Sequence, residues 1–197
     1  LAGGRYNDWK VEGVSYDKPQ DASDKEFIPY LGGVYQITDN TVVYASYTET
    51  FVSQTELDIN NEVLDPITGE SQEIGIKSSL FSDDMLATVT YFETVQNNVA
   101  KADPETASLP PEEQRYIATQ GIETNGFEID IAGEVLPGLQ TSVGFTSFDI
   151  DGDETVKEYT PEKLFKFAAK YSFANIEGLS AGINLRWQDD ISRKQGV

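Results

Sequence analysis

The sequence contains no cysteine and no histidine. Without cysteine, the chain has neither a disulfide framework nor a thiolate metal site. Without histidine, it lacks the commonest general base and the commonest transition-metal ligand. Acidic residues are abundant enough for a hydrolase that uses paired carboxylates, but no two of them stand at a recognisable catalytic spacing. We therefore expect no enzyme activity, no bound cofactor and no metal held by the protein itself.

Basic residues are also scarce, with 14 Lys and Arg against 34 Asp and Glu, and the net charge is −20. This balance argues against nucleic acid as a partner, because phosphate binding needs clustered cations. No run of 18 or more apolar residues is present, so the sequence predicts no transmembrane helix. The mean hydropathy of −0.40 is typical of soluble proteins. A membrane β-barrel is the exception, because only alternate residues of its strands face lipid.

What the sequence does contain is alternation of apolar and polar residues at a period of two. Between Phe127 and Val135 the odd positions are apolar or glycine, and the even positions are mostly charged. The same alternation recurs along most of the chain, while helical periodicity is almost absent. The pattern predicts about nine strands, near residues 1–12, 28–37, 41–52, 71–81, 86–99, 122–135, 139–149, 162–173 and 179–190.

The connections between these strands alternate strictly between short and long. The short ones, near residues 38–40, 82–85, 136–138 and 174–178, carry the turn-forming residues Asp, Asn, Pro or Gly. The long ones lie near residues 13–27, 53–70, 100–121 and 150–161. All tight turns should therefore lie at one end of the sheet and all long loops at the other. Strands of ten or more residues with loops on one side are typical of an outer-membrane barrel.

Negative charge is concentrated around the long loops. The segments 13–27, 52–71, 100–120 and 149–163 together carry −13 of the net charge of −20. This distribution has two interpretations. Loops are generally polar, which explains the charge without any function. Alternatively, the loops form an acidic outer surface beside lipopolysaccharide and its divalent cations.

The stretch Glu73-Ile74-Gly75-Ile76-Lys77 shows the expected division between the two faces of a strand. Ile74 and Ile76 would face lipid, whereas the residues between them would face a hydrated lumen. The charged residues of the polar face in this and other strands are candidate functional residues: Glu73, Lys77, Glu128, Asp130, Glu134, Lys166, Lys170 and Arg186.

Several sequence segments, in this order, carry a family resemblance. They are LAGGRYNDW (1–9), IPYLGGVYQITDNTVVYASYTETF (28–51), LDPITGESQEIGIKSSL (64–80), LATVTYFETVQNNV (86–99), TNGFEIDIAGEVLPGLQTSVGFT (124–146) and TPEKLFKFAAKYSF (160–173). Each segment alone would be a weak signal. Together they cover nearly the whole chain and resemble the barrel of TonB-dependent ferric-siderophore receptors.

The resemblance implies an all-β fold, an antiparallel up-and-down meander that forms part of a 22-stranded transmembrane barrel. Residues 1–197 would be a partial barrel domain, an internal piece without the N-terminal plug domain and the remaining strands. The eight charged candidates would then contact the plug or line a transport path. They would otherwise be solvated lumen charges with no individual role.

The function that the resemblance implies is energy-coupled uptake of a ferric siderophore through the bacterial outer membrane. The iron would stay held by the siderophore, and the TonB complex of the inner membrane would act through the plug. The alternative is a soluble, secreted β-propeller or β-sandwich that acts as a binding module. A repeat of roughly forty residues per hairpin and loop also suits propeller blades.

Two loop segments have distinctive sequences. Residues 149–154, DIDGDE, resemble a calcium loop, but glycine falls between the second and third Asp rather than after the third. A solvated acidic loop tip is the alternative. Residues 104–113, PETASLPPEE, form a proline-rich acidic segment whose low apolar content predicts mobility.

Overall fold

The computed structural model describes residues 1–15, 18–19, 21–81, 84–119, 121–152 and 160–191, and the regular structure in them is all β. The strands are β1 (Ala2–Val11), β2 (Val14–Ser15), β3 (Lys18–Pro19), β4 (Ala22–Thr38), β5 (Thr41–Val52), β6 (Ile67–Leu80), β7 (Met85–Asn97), β8 (Ala100–Ala102), β9 (Tyr116–Ala118), β10 (Ile122–Leu136), β11 (Leu139–Asp151), β12 (Lys163–Ser172) and β13 (Ser180–Gln188). Within these residues there is no helix of the length and apolar character needed to cross a membrane.

Nine of the strands form one antiparallel sheet in the order β1-β4-β5-β6-β7-β10-β11-β12-β13. Each long strand between the two edges therefore pairs with the long strand that precedes it and the one that follows it in the chain. The remaining strands form two small hairpins, β2-β3 and β8-β9, within long loops. The predicted meander of nine long strands is confirmed.

Strand lengths differ from the prediction mainly at the long-loop end. β4 begins at Ala22 rather than at residue 28, and β6 begins at Ile67 rather than at residue 71. The extension of β4 is paired with β1 as far as Val11 opposite Ala22. Its residues are mostly polar, so hydropathy does not mark them as strand. Pairing with a neighbouring strand determines their conformation instead.

The loop asymmetry predicted from the sequence is present. Strands β4 and β5 are joined by Asp39 and Asn40 alone, and β10 and β11 by Pro137 and Gly138 alone. At the opposite end of the sheet, 14 residues separate β5 from β6 and 24 separate β7 from β10. One end of the sheet is therefore closed by tight turns, and the other carries the chain's long loops.

The register of the ladder separates an apolar face from a polar face. Residues directly opposite each other in neighbouring strands point to the same face. On one face, a single row crosses eight strands and is apolar at every position: Tyr35, Val43, Ile76, Val89, Ile129, Phe145, Phe165 and Trp187. We refer to this row as the apolar row.

The residues that the structure describes leave the apolar row uncovered. Val89 is 45% exposed and Trp187 is 50% exposed, and Phe127, one level along the same face, is 42% exposed. No second sheet or helix among the described residues packs on this face. An apolar surface of this extent requires a cover from outside the chain.

The small buried core lies elsewhere. Ile28, Ile122 and Ile150 are buried, and all three lie near the long-loop end of their strands on the polar face. Met85 is also buried, at the tight-turn end of β7 opposite Gly133. Leu57, within the loop between β5 and β6, is buried as well. The long loops therefore fold over the polar face and not over the apolar face.

Gly133 provides a test of the tight-turn end of the sheet. Its φ of 151° is unfavourable for other residues, and a Cβ there would lie 2.2 Å from the backbone oxygen of Asp84. We expect Gly133→Ala to lower the free energy of unfolding by about 1–3 kcal/mol, because backbone atoms cannot move aside as a side chain can. Denaturant-induced unfolding of the protein containing this chain measures the change.

The matched control is Gly33→Ala in β4. A Cβ at Gly33 meets nothing within 4 Å, and its φ is not positive. This variant should unfold like the unsubstituted protein. Equal effects at the two glycines would contradict the assignment of strain to Gly133.

Candidate functional site

All eight charged residues predicted to share one face do so in the structure. The register places Glu73 and Lys77 of β6 on the same face as Glu128 and Asp130 of β10. Glu134 lies on the same face of β10, and this face continues through β11 to Lys166, Lys170 and Arg186. We call this the polar face. All of these side chains except Glu134 are exposed.

Four of the eight lie in one row across the sheet. The row runs Lys77, Thr88, Asp130, Gly144, Lys166 and Arg186. Neighbouring strands are about 4.8 Å apart, so Asp130 lies about 10 Å from both Lys77 and Lys166 at the level of the backbone. Lys166 and Arg186 are direct cross-strand neighbours of the same sign, an unfavourable arrangement unless an anion lies nearby.

No salt bridge among the described residues neutralises this row. The two ion pairs in the described part of the chain join Lys10 to Glu12 and Lys25 to Asp8. The Asp130 carboxylate leans over Gly144, where a Cβ would lie 3.1 Å from its Oδ1 atom. The charged groups of the row therefore remain available to a partner that approaches the polar face.

Lys77 is held by an aromatic ring rather than by a carboxylate. Its Nζ atom lies 5.1 Å from the centre of the Tyr44 ring, within the range of a cation–π interaction. The ring crosses Gly75, where a Cβ would lie within 2.6 Å of ring atoms. The Tyr44 hydroxyl makes a 2.7 Å hydrogen bond with the hydroxyl of Thr90. Glycine at position 75 thus makes room for a side chain that positions Lys77.

Three of the eight candidates form side-chain hydrogen bonds within the described residues: Arg186 donates one of 3.1 Å to Gln188 Oε1, and two glutamates accept theirs. Glu134 accepts hydrogen bonds from the Gly138 N–H and the Gln140 amide, each at 2.8 Å, and so braces the turn between β10 and β11. Glu128 accepts a hydrogen bond of 3.1 Å from the Thr146 hydroxyl. Of the two, Glu134 is better explained by turn structure than by contact with a ligand.

The two longest loops meet above the polar face, and sequence reasoning missed this feature. The Tyr116 N–H donates a 2.9 Å hydrogen bond to the Leu57 carbonyl oxygen. The Arg115 guanidinium donates a 2.6 Å hydrogen bond to Asn61 Oδ1. Arg115 is only 9% exposed, which is unusual for a loop arginine. The one sequence feature that could have indicated this contact between the loops is an arginine beside an otherwise acidic stretch.

Residues 104–113, whose composition predicts mobility, form defined turns instead. The Asp103 carboxylate accepts a hydrogen bond from the Glu105 N–H, and the Asp103 carbonyl accepts one from the Thr106 N–H. The Thr106 hydroxyl, which is buried, accepts a 2.9 Å hydrogen bond from the Arg115 N–H. Local side chain to backbone bonds therefore replace the apolar packing that this segment lacks.

Asp58 organises the turn within the loop between β5 and β6. Its Oδ1 atom accepts hydrogen bonds from the N–H groups of Glu62 at 2.9 Å and Asn60 at 2.8 Å. These bonds, that from Glu62 foremost, hold the pKa of the Asp58 carboxyl below its usual value of 3.8, and the positive charge of Arg115 acts in the same direction. Asn61 adopts a φ of +64°, which asparagine tolerates better than most residues.

The candidate calcium loop is not assembled in the described residues. Asp149 and Asp151 point to the apolar-face side, and Ile150 between them is buried on the opposite side. Residues 153–159, which include the rest of the motif, lie outside the described residues. Across the described ranges, no group of three or more acidic side chains is placed to hold a metal ion.

Comparison with known proteins adds independent information. The family model described as TonB dependent receptor-like, β-barrel, matches residues 1–196. The ferripyoverdine receptor of Pseudomonas aeruginosa is 34% identical over 193 residues, which are 94% of this chain and 23% of the receptor. The ferrichrome outer membrane transporter/phage receptor of Escherichia coli is 29% identical over 94% of this chain and 25% of its own length. The chain thus spans about a quarter of these relatives.

Solved structures show the same similarity in three dimensions. The ferripyoverdine receptor of the Pseudomonas aeruginosa outer membrane, bound to ferripyoverdine, superposes with a TM-score of 0.76 at 32% identity. That match covers 95% of this chain and 25% of the receptor chain. The alcaligin outer-membrane receptor of Bordetella pertussis gives a TM-score of 0.76 at 29% identity, over 95% of this chain and 34% of its own.

The Asp58 turn generates a prediction about pH. Because its folded-state pKa is depressed, the carboxylate stabilises the turn above pH 3.8, and the contribution is lost as pH falls through the depressed value. A nitroxide attached to an Ile59→Cys variant should therefore become more mobile as the pH is lowered below about 3.8. Electron paramagnetic resonance line widths report this change.

The control for this experiment is Asp58→Asn in the same labelled background. An amide keeps one acceptor oxygen but does not ionise near this pH. The mobility of the label should then change little on acidification. An unchanged pH dependence in Asp58→Asn would show that another group controls the turn.

Proposed function

The chain belongs to the TonB dependent receptor-like β-barrel family, and from this premise we propose that it is part of a receptor that takes up a ferric siderophore. Members of this family are β-barrels of the Gram-negative outer membrane. The observation that carries the proposal is the uncovered apolar row, together with the polar face on the other side of the same strands. Hydrocarbon on one side and a hydrated lumen on the other account for both faces.

The transported substrate is proposed from the relatives. Those compared above are receptors or transporters for ferripyoverdine, ferrichrome and alcaligin. They share the class of iron–siderophore complex and differ in the chelator. We accordingly propose the class and leave the particular chelator open. The siderophore keeps the iron coordinated during transport, so no protein ligands to iron are required.

The two open edges of the sheet lead to a proposal about the remaining strands of the barrel. Strands β1 and β13 lie at the two edges, and each pairs with one neighbour among the described residues. Unpaired backbone groups are not tolerated in hydrocarbon, so further strands must close the ladder. We propose that these nine strands belong to a barrel of 22, and that residues 1–197 form only part of the barrel domain. A plug domain would occupy the lumen and couple it to the TonB complex.

Within this proposal, the charged residues of the polar face line the lumen. Lys77, Asp130, Lys166 and Arg186 would meet the plug or the passing ligand, since no ion pair of the described chain occupies them. The acidic loops at the other end of the strands would face lipopolysaccharide and its divalent cations. No contact with nucleic acid is proposed, given the net charge of −20.

The alternative of a soluble propeller or sandwich does not fit. A sandwich buries one face of its sheet against a second sheet. A propeller divides its strands into separate four-stranded blades. Here one continuous nine-stranded sheet leaves its apolar row exposed.

A pair of adjacent substitutions in β7 tests the membrane orientation. Val89 lies in the apolar row, and Thr88 lies on the polar face between Lys77 and Asp130. Val89→Arg should destabilise the barrel by about 2–4 kcal/mol, the cost of a cation in the middle of a bilayer. Thr88→Arg should cost less than about 1 kcal/mol. Denaturant unfolding in lipid vesicles compares the two, and similar costs would contradict the orientation.

Growth under iron limitation tests the substrate class. A strain lacking the complete protein should fail to grow on at least one member of a panel of ferric siderophores that includes ferripyoverdine, ferrichrome and ferric alcaligin. Loss of TonB should reproduce the defect, and excess inorganic iron should remove it. Normal growth of the deletion strain on every ferric siderophore supplied would rule out iron uptake as the function.

A further inference from the structure

The loops 53–66 and 98–119 are joined at four positions. Two links, Tyr116 to Leu57 and Arg115 to Asn61, were described above. The other two run through side-chain amides. Gln54 Nε2 donates a 2.8 Å hydrogen bond to the Asn98 carbonyl, and Asn98 Nδ2 donates one of 3.0 Å to the Pro66 carbonyl. We call these two loops together the rim unit.

The links lie at both ends of the loops. Gln54 and Pro66 flank the first loop close to the sheet, and both bind Asn98 at the start of the second. Asn61, near the tip of the first loop, binds Arg115 of the second. A connection at one end only would leave a hinge, whereas connections at base and tip fix the relative position of the two loops.

Arg115 is the central group of the tip connection. Its guanidinium reaches Asn61 in one loop and the carbonyl oxygen of Gln114, at 2.6 Å, in its own. Its backbone N–H is bound to the buried hydroxyl of Thr106. A buried cation left without these acceptors would be costly, so the arginine favours the assembled state of both loops.

Each loop is also braced internally. Leu57 and Val63 form an isolated β-bridge, and Asp58 closes the turn between them. In the second loop, β8 and β9 form a hairpin. The rim unit therefore consists of two ordered turns that share a common interface, rather than two independent flexible segments.

We propose that the rim unit is a single preassembled surface above the polar face, with Arg115 as the positioning residue that holds its two loops together. The location of the rim unit at the mouth of a barrel rests on the proposed function. The linkage between its two loops does not depend on that proposal. A preassembled rim meets a ligand without first losing the conformational entropy of two separate loops. A ligand that displaces one loop would also displace the other.

Hydrogen exchange of the complete receptor in detergent micelles, without any siderophore, tests the proposal. Arg115→Met keeps the length of the side chain and removes its donors. It should raise the exchange rate about tenfold or more in both loops, including the amides of Asp58 and Leu64 in the loop that was not substituted. Acceleration confined to residues 98–119 would overturn the proposal.

Gln114→Ala is the matched control. Gln114 Nε2 donates a 2.9 Å hydrogen bond to the Leu109 carbonyl of its own loop. Its loss should accelerate exchange in 98–119 and leave 53–66 unchanged. An equal effect of Gln114→Ala on both loops would show that loosening spreads without the Arg115 link, and would also overturn the proposal.

Asn61→Gly disrupts the same hydrogen bond from the other loop. It provides the test if the Arg115→Met protein does not fold. Glycine accepts the φ of +64° without strain, so the substitution chiefly removes the acceptor of Arg115. Exchange should then rise in residues 98–119, where no residue has changed. An unchanged exchange rate in those residues would contradict the proposed coupling.

A distance measurement gives an independent readout. Ile59 and Leu109 are exposed residues of the two loops, and the chain has no cysteine of its own. Nitroxides at Ile59→Cys and Leu109→Cys should give one narrow distance distribution, which broadens in Arg115→Met. A broad distribution with Arg115 intact would mean that the loops move separately. Because no siderophore is present, a negative result here leaves the growth experiment unaffected.

Discussion

The pairing of backbone hydrogen-bonding groups in a medium without water is the constraint on which this structure depends. The apolar row crosses eight strands and is left uncovered by the described part of the chain, so hydrocarbon is its natural cover. Hydrocarbon offers no hydrogen bonds to N–H or C=O groups, and these groups must therefore be paired within the sheet. The long antiparallel ladders with few irregularities follow from this requirement, as does the restriction of irregular backbone to the loops.

The same period of two that produces the apolar row also determines where charge is placed. Every residue next to the row along a strand points to the other face, so Lys77 follows Ile76 and Asp130 follows Ile129. Charges buried in a soluble sandwich would have to be paired with each other. On a hydrated face they need no partner from the sheet, and Lys166 opposite Arg186 is tolerated there. The sheet thus separates its apolar and charged surfaces across the thickness of one backbone.

The faces of the strands could be predicted from the sequence because alternation is a local property. Register shifts occur between Gln36 and Thr38 and between Glu134 and Leu136, both next to tight turns. Elsewhere the ladder keeps its parity, so alternation correctly predicts that the eight charged candidates share one face. The extension of β4 to Ala22 could not be predicted in this way, since its polar residues are strand only because β1 pairs with them.

The rim unit illustrates the opposite case, in which long-range contacts decide the structure. Arg115 and Asn61 are separated by 54 positions, and nothing near either residue identifies the other. Composition alone suggested a mobile segment at 104–113, because few apolar residues are available to pack. Hydrogen bonds accepted by the side chains of Asp103 and Thr106 and donated by that of Gln114 provide the order instead. Bonds of this kind are individually weaker and more exposed than a sheet ladder. If the protein changes shape when a ligand arrives, the rim can rearrange at much lower cost than the strands beneath it.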